Sequence, residues 1–164
     1  MLWGIGVYKH VLLAYDGSLE GAQALREGAL LARSCGSQVT LLCVIPDSPG
    51  ARMAEGIFAG ALGSQVDEYR DLLESAVGVL KQMGFQPESR LLMGEPSPVI
   101  AAVAKEIKAD LIVVGHHTEG MLTRWWQGSS ETFLCDHCHC SLLIGNARMS
   151  DEEFQAAIGD RVSA

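Results

Sequence analysis

The chain has no basic surplus. Its 12 lysines and arginines stand against 20 aspartates and glutamates, a formal net charge of −8. Nonspecific nucleic-acid binding and adhesion to anionic membranes both need a basic footprint, so neither partner is expected. No apolar run approaches the roughly 20 residues of a membrane helix. Residues 1–7 are too short for a secretory leader and lack its basic start. These absences predict a soluble, cytoplasmic chain. Cysteine is sparse and odd in number: of five, three crowd into Cys135-Asp136-His137-Cys138-His139-Cys140, which is not a secreted disulfide framework. Catalytic equipment is lacking too. No nucleophile stands by an obvious base, no Walker-type lysine follows a glycine loop, and no acidic cluster suits a metal.

What is present is the material of one core. Nearly half of the 164 residues are hydrophobic, enough for a single domain of ordinary size, and no internal repeat or second domain appears. Residues 8–15 form a short apolar run ended by Asp16-Gly17-Ser18, a turn whose serine caps a following helix over residues 19–34. That helix sets Ala22, Leu25, Ala29 and Ala32 on one face and stops at Cys35-Gly36-Ser37. Residues 39–45 (VTLLCVI) are a continuous β-branched and apolar run, the pattern of a strand buried on both faces of a parallel sheet.

After a long connection over residues 46–63, Ser64-x-x-Asp67 resembles a capping box. The helix it opens carries Val66, Tyr69, Leu73, Ala76, Leu80 and Met83 on one face and ends at Gly84. A third strand is expected over residues 88–93. Next, Ser97 as cap and Pro98 at the first helical position open a helix over residues 98–108. A strand over residues 111–114, a helix over 129–137 and a strand over 140–144 complete the alternation. Strict alternation predicts an α/β fold, a single five-stranded parallel sheet with helices on both faces, and the expected arrangement is doubly wound, order 3-2-1-4-5. The domain then spans residues 1–145. Residues 146–164 form a polar C-terminal tail in which Ser150-x-x-Glu153 opens a short helix.

The candidate site follows the fourth strand. Gly115 ends that strand, and Gly128-Ser129-Ser130 opens the next helix, so both supply backbone N–H groups, and the serines hydroxyls, for phosphate. Gly115, then His116-His117, then Thr118, then the nine residues 119–127, then Gly128-Ser129 resemble the nucleotide-binding loop of the universal stress protein family. That loop reads Gly, two residues, Gly, nine residues, Gly-Ser or Gly-Thr. Thr118 stands where the family has its middle glycine, and a β-branched residue is a poor substitute for one. The resemblance covers residues 8–144. Members that keep all the glycines resemble ATP binders, and those with Gly-His-His that lack the later glycines resemble a class that does not bind ATP. This chain mixes the two patterns.

The resemblance implies adenine nucleotide, ATP or AMP, with Mg accompanying ATP. Gly115, Gly128, Ser129 and Ser130 would meet phosphates, with His117 and Thr118 in the same loop. Asp16 would accept hydrogen bonds from a ribose, the backbone of Val44 would meet the adenine, and Ala14 would form a wall. A doubly wound order places the Asp16 turn beside the Gly115 loop at the switch point. Enzymatic activity is limited to slow hydrolysis, with His117 and Asp16 as the available groups. The resemblance further implies a homodimer through the last strand, at residues 142–144.

Two other readings stand beside this one. A pocket made degenerate by Thr118 would leave a dimeric adaptor that works by protein contact alone, and Trp125-Trp126 would gate the pocket or meet that protein partner. A metal or thiol-redox sensor would use Cys135-x-x-Cys138 and Cys140. A single pair of cysteines across a helix-to-strand junction is incomplete for zinc, however, and ordinary buried thiols explain it as well.

Overall fold

The structure, a computed structural model, describes residues 6–47, 53, 56, 60–116 and 130–159. Its elements are β1 (His10–Ala14), α1 (Leu19–Cys35), β2 (Gln38–Pro46), α2 (Ala61–Gln82), β3 (Glu88–Gly94), α3 (Pro96–Glu106), β4 (Leu111–Gly115), α4 (Ser130–His137), β5 (Ser141–Gly145) and α5 (Asp151–Gly159). The strands form one parallel sheet, as the alternating pattern predicts, in the expected doubly wound order β3-β2-β1-β4-β5. β1 lies at the centre, pairing Val11 with Val39 of β2 on one side and with Leu111 of β4 on the other.

Alternate side chains point to opposite faces of a strand, so the central strands feed two cores. Val11, Leu13, Leu41, Cys43 and Val113 pack with residues of α1, α2 and α5. Leu12, Leu42, Val44, Ile112 and Val114 pack with α3 and α4. This is why β2 and β4 carry runs of β-branched and apolar residues: neither of their faces meets water.

Local signals set most boundaries. Ser18 sits in extended conformation and its side chain accepts from the N–H of Gly21, while Gly36 closes α1 at φ 67°. Two starts differ from expectation. α2 begins at Ala61, a turn before the Ser64 box, because Gly60 at φ 94° leads straight into helical residues and Ser64 N–H already donates to the Gly60 carbonyl. α3 begins at Pro96 with Glu95 as its cap residue, since either proline satisfies the first turn. Ser97 therefore lies inside the helix, 4% exposed, its hydroxyl without a partner among the described residues. The last strand starts at Ser141, just past Cys140.

Candidate functional site

At the carboxyl end of β1 the chain turns at once into α1. Asp16 is 4% exposed, and its Oδ1 accepts from the Ser18 N–H at 2.9 Å and the Ser18 hydroxyl at 2.5 Å. Ser18 Oγ in turn accepts from the Gly21 N–H at 2.9 Å. This is the local turn role open to any such aspartate, and it orients the first turn of α1. Gly17 at φ 79° makes the corner, and a Cβ there would lie 2.6 Å from Leu72 of α2.

Gly115 closes β4 directly behind that turn. A Cβ on Gly115 would stand 2.9 Å from the backbone nitrogen of Gly21, and a Cβ on Gly21 would strike Asp16 Oδ1. Asp16, Gly21 and Gly115 are thus in contact succession, and β4 meets α1 backbone to backbone. The absence of a side chain at Gly115 already has a packing cause. Ala14 and Val44 lie in the other core, both buried, together with Val114. The Tyr15 N–H donates to the Leu42 carbonyl at 2.9 Å, two residues before Val44.

So the strand order assembles Ala14, Asp16, Val44 and Gly115 at one end of the sheet. His117, Thr118, Gly128 and Ser129 lie outside the described residues, as do Trp125 and Trp126. Ser130 is the first residue of α4.

A family model described as Universal stress protein family matches residues 7–145, from before β1 to the end of β5. The chain belongs to the universal stress protein family. Universal stress protein Sll1388 of Synechocystis is 28% identical over 149 residues, covering 84% of this chain and 97% of its own. A family member from Burkholderia pseudomallei, solved by crystallography, superposes with a TM-score of 0.66 at 26% identity, covering 85% of this chain and 97% of that one. The Archaeoglobus fulgidus universal stress protein, solved in complex with dAMP, superposes with a TM-score of 0.62 at 22% identity, covering 85% and 99%.

Of the five thiols Cys43 is buried, Cys35, Cys138 and Cys140 are half-buried and Cys135 is exposed. Burial, and secondarily the Asp16 carboxylate, pushes Cys43 beneath the site up to about 12. Burial pushes Cys138 up to about 11, helped by Cys140 and Cys135, and raises Cys140, helped by Asp110. Thiols raised in this way stay protonated at neutral pH, which disfavours nucleophilic attack. Among the described residues no group of three or more His, Cys, Asp or Glu is placed to hold a metal ion. His137 stacks on Phe133 with ring centroids 3.9 Å apart, and its Nδ1 lies 2.9 Å from the Phe133 carbonyl oxygen. It acts within its own helix.

Two contributors had no prominence in the sequence. Gly21 approaches Asp16 within the first turn of α1, and Cys43 on the neighbouring strand feels the Asp16 charge.

Proposed function

We propose that the chain is a cytoplasmic stress-response module that binds an adenine nucleotide, ATP or AMP, at the carboxyl ends of β1, β2 and β4. The observation that carries this reading is the contact between the Asp16 turn and the end of β4 at the switch point of the sheet. Ligands of doubly wound sheets enter there because the flanking connections diverge and leave a crevice. The ligand class is supported by the family and by the dAMP complex of the A. fulgidus relative.

In this reading Asp16 accepts from a ribose hydroxyl, the Val44 backbone meets the adenine and Ala14 forms part of the wall. Gly115, His117, Thr118, Gly128, Ser129 and Ser130 surround the phosphates, with Mg accompanying ATP. The chain binds and reports; it does not turn substrate over beyond slow hydrolysis. The reporting surface is the β5 edge, where Leu142, Leu143 and Ile144 are half-buried on a strand paired only with β4. A homodimer formed there would present the nucleotide state to a protein partner.

A second reading has its own support. Asp16 Oδ1 is committed to Ser18 and the missing Cβ of Gly115 to α1, so neither needs a nucleotide to explain it. With Thr118 in the loop, the same fold would then act as an adaptor with a degenerate pocket.

One experiment separates the two. Freshly purified protein is denatured, its released small molecules are chromatographed, and the stripped protein is titrated calorimetrically with ATP and AMP. Released or titratable adenine nucleotide, lost in Gly128→Val, supports the first reading. An empty pocket with no heat of binding overturns it and leaves the adaptor.

A further inference from the structure

Beyond β5 the chain turns back along the outer face of α1 as a strap. Glu27 Oε2 accepts the N–H groups of Asn146 at 3.0 Å and Ala147 at 2.9 Å, and Gln23 Oε1 accepts that of Met149 at 3.0 Å. Arg26 pairs with Asp151 and lies over the Phe154 ring, 5.0 Å from its centroid, while Arg33 donates to the Ile158 carbonyl. Phe154 is 3% exposed and belongs to the core beneath α1 and α2. The family match ends at residue 145, so the strap lies outside the matched domain.

Strap and α1 enclose a cleft of about 470 Å³, within the usual span for a small-molecule site. Leu19 and Glu20 of α1, His116 after β4, and Arg148 and Met149 of the strap stand around a floor at Gly145. Of the described residues assigned above to the nucleotide, Ala14, Asp16, Val44 and Gly115 do not line it; His116, next to Gly115, does.

The wall combines opposite charges with apolar surface. Leu19 is 73% exposed, unusual for so large an aliphatic side chain, and Met149 is half-buried beside it. Among the described residues neither the Glu20 carboxylate nor the Arg148 guanidinium has a hydrogen-bond or ion-pair partner. A simple anion would meet Glu20, and a simple cation would meet Arg148. A molecule carrying both charges satisfies both, and an apolar body on it covers Leu19 and Met149.

We propose that this cleft binds a small zwitterion with an apolar body, the class of a free apolar or aromatic amino acid. The ligand carboxylate pairs with Arg148, its ammonium with Glu20, and its side chain lies against Leu19 and Met149. Because the strap supplies Arg148 and Met149, the site exists only while Phe154 holds the strap in place. Phe154 is a positioning residue for it.

The test titrates the full chain with L-phenylalanine and with two molecules that each keep one charge, 3-phenylpropionate and phenethylamine. The expected result is saturable binding of phenylalanine, with each single-charge probe about tenfold weaker or worse. Glu20→Gln weakens phenylalanine about tenfold without weakening 3-phenylpropionate, and Arg148→Gln does so without weakening phenethylamine. A merely misfolded variant cannot produce that crossed pattern, and an unchanged thermal melt confirms the fold. No saturable binding of phenylalanine, or equal binding of all three probes, overturns the proposal. Because ATP and AMP are titrated at different residues, failure here leaves the nucleotide reading untouched.

Discussion

Asp16 shows how a single residue is legible in one role and silent in another. Its position before Gly17-Ser18 announces a turn, and the structure supplies the turn bonds. Its charge also acts on Cys43, which no local pattern reveals because Cys43 lies on the neighbouring strand. That burial has a consequence for stability. Cys43 holds its proton to about 12 in the fold, against the usual 9 in the unfolded chain. The unfolded chain therefore releases the proton first, so the contribution is complete below pH 9 and falls as pH rises toward 12. Urea unfolding at pH 8 and pH 11 should show a loss of stability that is smaller in Cys43→Ala. Thiol labelling at pH 8 should begin at Cys135, which is exposed, and reach Cys138 and Cys43 slowly. Within the proposed phosphate loop, Thr118→Gly should raise affinity for ATP in calorimetric titration. Unchanged affinity would show that the Thr118 side chain is not an obstruction.

Helix α1 is the element on which the others converge. Gly21, Ala24 and Gly28 follow one another at three- and four-residue spacing on the face that meets the sheet. Such small residues let the helix lie so close that a Cβ on Gly145 would be 2.6 Å from the Ala24 Cα. Relief would require the backbone of α1 or β5 to move. Gly145→Ala should cost about 2 kcal/mol, typical of overpacking, in chemical denaturation. The capping of α1 and α5 could be read in advance, because Ser18 and the Ser150–Glu153 pair act within one turn of chain. The starts of α2 and α3 were less legible. Two competing local signals stood within a turn of each other there, Gly60 against Ser64 and Pro96 against Pro98.

At the scale of the molecule, the strap changes what counts as the folded unit. Sequence polarity marks residues 146–164 as a tail, yet Phe154 enters the main core and α5 lies along α1. Removing that anchor should be costly. Phe154→Ala should lower stability by about 3 kcal/mol, in line with a large aromatic deleted from a core, and should speed trypsin cleavage at Arg148 by releasing the strap. Limited proteolysis beside a denaturation curve measures both, and an unaltered melt would show that the strap is only laid on the surface.

By itself the sequence determined the alternation of strands and helices and singled out Asp16 and Gly115. Both follow from patterns that operate within one element, namely apolar runs, caps and glycines. Tertiary structure decided why Gly115 and Gly21 lack side chains, which thiol lies under Asp16, and where the C-terminal strap lands. Those depend on distances between elements far apart in the chain, fixed only when β1 takes its place between β2 and β4 and α1 closes onto β4 and β5.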